Sequence, residues 1–325
     1  MYLGIDGGGT KTAFALADAH GRVLARHEEG SLYYLEIGLD GVEQTLRRGA
    51  AATFAAAGVA ASSLRGVYIG LPAFGEDSAL QPRLEALPGL VFPGVANGCG
   101  CDMNCSWAGS LAGRDGISVI AGTGSMAYGE YRGRGVRTGG WGELFGDEGS
   151  AHWIAREGLT LFARMSDGRS VRGPLHALVV ERLALGTDLD LCARIYGNGE
   201  GAGQDSRSAF AQFSKLVRDA AEAGDAQAEA IFVRAAGELA ELVVAARREL
   251  AVPAGVALPV SYSGGLFGPG SRILVPFAEA LDASGHEFEF VVPLMAPVLG
   301  ATWLAARAAG EPFGDAALAQ LSRAE

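Results

Sequence analysis

The stretch Tyr2-Leu-Gly-Ile-Asp-Gly-Gly-Gly-Thr-Lys-Thr12 places an acidic residue and three consecutive glycines directly after a short apolar run. The run predicts a β-strand at 2–6, and the residues that follow predict two more strands, over Lys11–Asp18 and Arg22–His27. Glycines at a strand end allow positive φ and a close approach to a ligand, so several N–H groups can converge on an anion. Phosphate is the natural occupant of such a turn, although a plain hairpin turn would use the same residues.

A second unit of the same kind begins near residue 116. Ile117–Ser125 reads as a strand that ends in a Gly/Thr/Ser turn, and the strand-like run Met126–Tyr131 follows it. A third glycine turn, Ser263–Phe267, comes after a strand predicted over Val256–Ser261. Each turn carries a hydroxyl residue, and together they favour a nucleotide clamp between two duplicated α/β lobes.

The rest of the chain alternates further strands with helices. We expect a division into an N-terminal lobe at 1–114 and a C-terminal lobe at 115–325, and the last helix could pack back on the first lobe. The segment 166–205 reads as a less regular insertion. Strands are predicted at 66–71 and 287–292, and helices at 42–57, 78–87, 102–111, 148–165, 206–223, 225–250 and 296–309.

Composition limits the classes of function. The 325 residues suffice for two domains, and 49% hydrophobic residues can fill two cores. No window approaches the roughly 18 consecutive apolar residues that a membrane span needs, and no secretory signal is recognisable, so we expect a soluble cytoplasmic protein. A net charge of -11 with only two lysines, Lys11 and Lys215, argues against a nucleic-acid partner and favours a small ligand.

Neither common nucleotide motif fits the first turn. The chain has no G-x-x-x-x-G-K-[ST], and the first turn lacks the G-x-G-x-x-G spacing followed by a helix, which argues against a P-loop and a Rossmann site. Asp6 would stand beside bound phosphates with no helix dipole to favour it. That position suits a carboxylate that organises Mg²⁺, usually through waters, although Asp6 could also cap the turn.

These motifs resemble those of the sugar kinase, Hsp70 and actin superfamily and, within it, the N-acetylglucosamine kinase branch of the BadF/BadG/BcrA/BcrD ATPases. Asp6–Thr10 resembles the first phosphate motif, Ala121–Ser125 the second, and Ser263–Phe267 the adenosine motif. The closest match is the branch-specific pattern Gly139-Gly-Trp-Gly-Glu-Leu-Phe-Gly-Asp-Glu-Gly-Ser150. The resemblance implies a two-lobed, actin-like ATPase with ribonuclease H-like duplicated lobes and a nucleotide and sugar cleft between them.

The resemblance also implies roles for individual residues. Asp102 is similar to the catalytic Asp that accepts the proton of the attacking hydroxyl, although it could be only a helix N-cap. Asp147 is similar to a sugar-binding Asp, with helix capping as the alternative. Tyr33 stands where well-studied members carry an Asn, which leaves the sugar open among N-acetylglucosamine, glucosamine, glucose and a muramic derivative.

The full predicted site has a nucleotide side and a sugar side. The nucleotide side comprises Gly7, Gly8, Gly9, Thr10, Lys11, Gly122, Thr123, Gly124, Gly264, Gly265 and Phe267, with Asp6 for Mg²⁺. The sugar side comprises Tyr33, Asp102, Ser125, Met126, Gly140, Trp141, Gly142 and Asp147.

The leading hypothesis is a Mg²⁺- and ATP-dependent kinase for the 6-hydroxyl of an amino sugar, active as a homodimer. The rival is an ATPase that drives conformational change, either an electron-donating activator or an actin-like assembly protein. A sugar-sensing regulator without turnover is a third possibility, which the absence of a DNA-binding module or basic patch weakens.

The cysteines form a separate question. Cys99, Cys101 and Cys105 offer three thiols within seven residues, but no fourth ligand lies nearby in sequence. We therefore expect small buried hydrophobic side chains beside the helix of Asp102.

Overall fold

The computed structural model describes residues 1–9, 11–196 and 207–324 and contains two five-stranded mixed sheets. In the first sheet, the order is β3-β2-β1-β4-β5; β1, β2 and β3 form an antiparallel meander, and β4 and β5 continue the sheet parallel to β1. Its strands are β1 (Tyr2–Gly7), β2 (Lys11–Ala17), β3 (Val23–Gly30), β4 (Gly66–Leu71) and β5 (Ala96–Cys101).

The second sheet repeats this topology. Its order is β10-β9-β6-β7-β8, with β6, β7 and β8 antiparallel in a meander and β9 and β10 added parallel to β6. The predicted α/β class and the predicted duplication of the lobes are thereby confirmed. The strands are β6 (Gly116–Ala121), β7 (Ser125–Tyr131), β8 (Arg134–Gly139), β9 (Leu258–Ser263) and β10 (Phe288–Val291).

Helices pack on both sheets, and none in the described ranges combines the length and apolarity that a membrane crossing requires. The first lobe carries α1 (Tyr34–Ala57), α2 (Gln81–Val91) and α3 (Asp102–Leu111). The second carries α4 (Ala151–Ser166), α5 (Pro174–Arg182), α6 (Asp190–Tyr196), α7 (Arg207–Ala211), α8 (Ser214–Glu222), α9 (Ala226–Glu249) and α10 (Leu274–Ala283), and the chain continues with α11 (Pro297–Ala308) and α12 (Asp315–Ser322).

Several predicted bounds were wrong. Helix α1 begins at Tyr34 and not at residue 42, with a break at Gly38, whose φ of 69° interrupts the helical pattern. The single helix predicted at 206–223 is two, α7 and α8. Strand β8 and helices α5, α6, α10 and α12 were not predicted, and α5 and α6 lie in the segment 166–205 that was expected to be less regular. Strand β8 is an edge strand whose polar residues show no clear alternation.

Helices α3 and α11 form a layer between the sheets. Helix α11 lies against β1, β4 and α3, and its Thr302 hydroxyl donates to the Ala15 carbonyl at 3.3 Å. A Cβ at Gly300 would lie 2.2 Å from the Cys105 carbonyl oxygen and the Gly109 nitrogen, so glycine is required for the two helices to approach this closely. This packing fixes the start of α3, where Asp102 lies, against the first sheet.

Candidate active site

The first glycine turn joins β1 to β2 and packs against the end of β4. A Cβ at Gly7 would lie 2.6 Å from the Gly70 carbonyl oxygen, so the strands can meet here only without a side chain. The Gly8 N–H donates to the Lys11 carbonyl at 2.9 Å and closes the turn. Apart from its chain neighbours, no described residue has an atom within 4 Å of a Cβ built at Gly9, which leaves open space beside the backbone for a ligand.

Asp6 and Asp102 form an acidic pair at the base of this turn. Asp6 pairs with Gly70 in the sheet, and a Cβ at Gly70 would lie 3.3 Å from the Asp102 Cα. Burial, together with the negative charge of Asp102, raises the pKa of Asp6 to about 7. Within the described residues the Asp6 carboxylate accepts no hydrogen bond from a neighbour, so it is available to an external partner.

Asp102 is the first residue of α3 and follows β5 directly. The N-cap of the helix is Cys101, so the alternative of Asp102 as a simple N-cap does not match the structure. The carboxylate accepts from the Met103 N–H at 2.9 Å. Burial raises the pKa of Asp102 to about 6, while the Met103 N–H and the charge of Arg137 act in the opposite direction.

Asp6→Asn is expected to stabilise the metal-free protein by on the order of 2 kcal/mol near pH 8, because the folded wild type must hold a half-buried, desolvated carboxylate charge. Because the pKa of Asp6 is raised in the folded state, ionisation of Asp6 destabilises the fold. This destabilisation grows from about pH 4, where Asp ionises in the unfolded chain, to about pH 7, where Asp6 ionises in the folded protein. Urea unfolding in EDTA at about pH 5 and pH 8 measures it. A difference between the proteins that does not grow with pH would contradict the assignment.

The second glycine turn rests on the start of α4. The Gly122 N–H donates to the Gly124 carbonyl at 2.9 Å, and the Ala151 N–H donates to the Gly122 carbonyl at the same distance. The side chain of Ser150 accepts from the Trp153 N–H at 3.1 Å and caps the helix. The helix therefore begins at Ala151, later than the predicted residue 148, and its cap is Ser150 and not Asp147.

Asp147 lies beneath the second turn. It is buried, with a left-handed φ of 55°, and accepts from the Ser125 N–H at 3.3 Å. Arg207 of α7 forms an ion pair with Asp147 and a second one with Glu143 at 3.1 Å. Burial raises the pKa of Asp147, and the Arg207 guanidinium opposes that shift. The predicted sugar ligand is therefore a charged, oriented group with a partner that the sequence did not indicate.

The third glycine turn borders a cavity of about 410 Å³. Gly264 has a φ of 96°, and its Cβ would lie 2.4 Å from the Ala121 carbonyl oxygen, so this turn packs on the end of β6. The Phe267 side chain is buried in the core against Phe277, and the cavity wall is formed by its neighbours. The lining includes Gly122, Thr123, Gly265, Leu266, Lys215 and Arg272.

Basic side chains at the cavity differ in their partners. Arg218 pairs with Asp219 at 2.9 Å, and Arg272 pairs with Glu229 at 2.5 Å. Lys215 forms no ion pair with any described residue, and its positive charge remains available to an anion in the cavity. The cavity volume falls in the range typical of small-molecule sites, roughly 300–1,000 Å³.

The remaining residues of the predicted sugar side differ in exposure. Tyr33 is half-buried, and burial together with the charge of Glu76 raises its pKa. Trp141, between Gly140 and Gly142, is 72% exposed. A Cβ at Gly140 would lie 2.6 Å from the Met126 side chain, which places the glycine turn directly on β7.

Two residues of the predicted nucleotide side are not placed at the site. Thr10 falls outside the described residues, and the Lys11 ammonium pairs with exposed Glu28 at 2.6 Å. Sequence reasoning missed Arg137 and Arg207, since an isolated arginine gives no periodic or motif signal.

Two of the three clustered thiols donate hydrogen bonds to nearby groups, and the third, Cys105, is buried. The Cys101 thiol donates to the Asn104 side-chain oxygen at 3.3 Å, and the Cys99 thiol donates to the Leu84 carbonyl at 3.6 Å. Burial raises the pKa of Cys101 to about 11 and that of Cys99 to about 12, which disfavours their thiolate forms.

Two duplicated lobes, three glycine turns and an acidic pair at the base of the first turn agree with the family comparison. Residues 3–305 match the BadF/BadG/BcrA/BcrD ATPase family. The chain belongs to this family. The match extends over both sheets and all three turns, so family membership applies to the whole cleft and not to one motif.

Two proteins similar to this chain carry kinase names. An N-acetyl-D-glucosamine kinase of Dictyostelium discoideum is 28% identical over 277 residues, 82% of this chain and 85% of the relative. An N-acetylmuramic acid/N-acetylglucosamine kinase of Clostridium acetobutylicum is 28% identical over 241 residues, 73% of this chain and 76% of the relative.

Solved structures show the same fold. A Chromobacterium violaceum protein proposed to be an N-acetylglucosamine kinase is 26% identical with a TM-score of 0.67, covering 93% of this chain and 97% of the other. A ROK family glucokinase from Streptomyces griseus, in complex with glucose and AMPPNP, is 18% identical with a TM-score of 0.54, covering 94% and 99%. The second likeness concerns the fold alone.

Proposed function

We propose that this protein is an ATP-dependent kinase that transfers the γ-phosphoryl group to the 6-hydroxyl of an amino sugar, N-acetylglucosamine being the first candidate. The observation that carries the proposal is the position of Asp102, a carboxylate with raised pKa beside the first glycine turn. The names of the two relatives support an amino sugar as the acceptor.

The glycine turns fit the phosphates of ATP. Space is open beside Gly9, Gly122 and Gly265, where a Cβ would meet no atom of the described part of the chain within 4 Å, chain neighbours apart. Backbone N–H groups at such turns can bind an anion without a side chain. The cavity between the second and third turns would hold the nucleoside, and the ammonium of Lys215, which forms no ion pair in the described ranges, would add a positive charge at its wall.

The acidic pair fits Mg²⁺. The Asp6 carboxylate has no hydrogen-bond donor among the described residues and lies beside a second carboxylate, and carboxylate oxygens are the ligands that Mg²⁺ takes together with waters. When bound, Mg²⁺ neutralises charge on the transferring phosphates. Asp6 would hold the ion, and Asp102 would remain free to act on the sugar.

Asp102 would act as the general base. Phosphoryl transfer requires in-line positioning, charge neutralisation and a group that accepts the proton of the attacking hydroxyl. A carboxylate with a pKa of about 6 is ionised near neutral pH, yet it is a better proton acceptor than an ordinary Asp. The proton of the 6-hydroxyl would move to Asp102 as the oxygen attacks the γ-phosphorus, and ADP would leave.

The sugar would bind where Asp147, the Gly140–Gly142 backbone and Tyr33 meet. A charged carboxylate is a strong acceptor for sugar hydroxyls, and Tyr33 offers a hydroxyl and a ring face. Ser125 and Met126 would border the same pocket from β7.

We further propose that the two lobes close during the reaction. Residues 1–114 together with α11 would move against the remainder of the chain and exclude water from the site. We also propose that the protein is a homodimer and that it is cytoplasmic.

The test is sugar-dependent release of ADP by the purified protein with Mg²⁺ and ATP. The acceptor panel comprises N-acetylglucosamine, N-acetylmuramic acid, glucosamine and glucose, and NMR of the product identifies the phosphorylated oxygen. We expect the largest kcat/KM with N-acetylglucosamine. ADP release that no sugar stimulates would contradict the proposal and favour an ATPase that drives conformational change.

A further inference from the structure

Arg137 connects strand β8 of the second lobe to the glycine turn that follows it. Its Nε donates to the Gly139 carbonyl at 3.4 Å, and an Nη2 hydrogen bond reaches the Gly140 carbonyl. Both glycines have a φ of 71°, so this turn depends on left-handed backbone that few other residues adopt. The guanidinium therefore holds the part of the second lobe that borders the proposed sugar pocket.

The same guanidinium crosses to the first lobe. Its Nη1 donates to the Phe74 carbonyl at 3.4 Å, and its Nη2 forms an ion pair with Glu76 at 3.0 Å. Residues 72–76, which we call the 72–76 loop, follow β4 on the first sheet. One side chain thus bridges two lobes that are joined elsewhere mainly by packing of α3 and α11.

The 72–76 loop is also held from the opposite side. The Tyr34 hydroxyl, next to Tyr33 in the proposed sugar loop, donates to the Ala73 carbonyl at 3.3 Å. Ala73 has a left-handed φ of 59°, an unfavourable conformation that its neighbours must maintain. The loop therefore joins the sugar-facing segments of both lobes, through Tyr34 on one side and Arg137 on the other.

We propose that Arg137 is a positioning residue that clasps the two lobes across the sugar side of the cleft, through Glu76 and the 72–76 loop. The proposal rests on the proposed function and deepens it, because the clasp sets the distance between the sugar pocket of the second lobe and Asp102 of the first. Arg137 and Glu76 both lie close enough to Asp102 for their charges to influence it.

The clasp should affect the sugar more than the nucleotide. Its bonds end at Gly140 and at the 72–76 loop, whereas the proposed nucleotide cavity is lined by α8 and the turns at 122–123 and 265–273. Without Arg137 a smaller fraction of molecules has a closed sugar pocket, and the apparent affinity for the sugar falls in proportion to that fraction.

The first experiment compares Arg137→Met with Arg134→Met. Arg134 lies on the same strand and is exposed, and no described residue forms an ion pair or side-chain hydrogen bond with it, so the same chemical change there is the matched control. We expect Arg137→Met to raise KM for the sugar about tenfold, with KM for ATP within about twofold of wild type. Arg134→Met should leave both constants unchanged.

A double-mutant cycle with Glu76→Gln locates the partner. Because both single changes remove the same ion pair, the double variant should raise KM for the sugar no further than Arg137→Met alone. If the two changes instead multiplied their effects on KM for the sugar, the proposal that Arg137 acts through Glu76 would be overturned. An equal rise of both KM values in Arg137→Met would show a general structural role and would also overturn it.

Hydrogen exchange tests the clasp without any substrate. The amides of Phe74 and Glu76 should exchange faster in Arg137→Met than in wild type and at the wild-type rate in Arg134→Met. Unchanged exchange in Arg137→Met would overturn the clasp. A wild-type protein that phosphorylates no sugar, yet shows this exchange pattern, would instead refute the proposed function and retain the interlobe contact.

Discussion

Replacement of Asp102 by asparagine is expected to lower kcat by a factor of about 10² to 10⁴, the usual contribution of a general base. Asparagine has nearly the same shape but cannot accept the hydroxyl proton. It also removes a charge that is partly withdrawn from water, and this desolvation is what raises the pKa of Asp102 to about 6. The fold and the binding of ATP should therefore persist, and the melting temperature should not fall.

The pH dependence of the wild type provides an independent measurement. The base works in its ionised form, so kcat/KM for the sugar should fall as the pH drops through about 6, the raised pKa of Asp102. The residual kcat/KM of Asp102→Asn should show no such decrease around pH 6. Asp282→Asn, which changes an exposed carboxylate, is the control. A kcat of wild-type size in Asp102→Asn would exclude Asp102 as the base.

Replacement of Asp147 by asparagine is expected to raise KM for the sugar by about 10- to 100-fold, because a hydrogen bond to a charged group contributes roughly 1.5–3 kcal/mol. The carboxylate is buried and paired with Arg207, so it is held in one orientation before the sugar arrives. Steady-state kinetics with the best acceptor at saturating ATP measures the effect, and KM for ATP should stay close to the wild-type value.

Glu143→Gln separates direct binding from an effect through Arg207. Glu143 is the other carboxylate on Arg207, at 3.1 Å, and its loss disturbs the arginine without removing the proposed sugar ligand. We expect Glu143→Gln to change KM for the sugar by less than about threefold. An increase as large as that of Asp147→Asn would mean that Asp147 acts only by positioning Arg207.

Local sequence patterns predicted some elements of the fold and missed others. Alternating apolar residues and glycine turns predicted β1, β2, β6, β7 and the start of α3, because these features depend on neighbours in sequence. The edge strand β8 was missed, and α1 was given too late a start. In both cases tertiary contacts stabilise segments whose own pattern is weak, as at the Gly38 break in α1.

The candidate site likewise has features that the sequence predicted and features that it did not. The sequence by itself determined the order of the two duplicated units, their glycine turns and the presence of Asp6, Asp102 and Asp147, since turns and helix starts use fixed residue types. Only the tertiary structure decided which charges meet: Arg207 with Asp147, and Arg137 with Glu76. The pKa values of Asp6 and Asp102 were likewise decided there. The physical reason is that a long-range ion pair and a desolvated carboxylate depend on where the folded sheets bring distant loops, and no local period or motif encodes that distance.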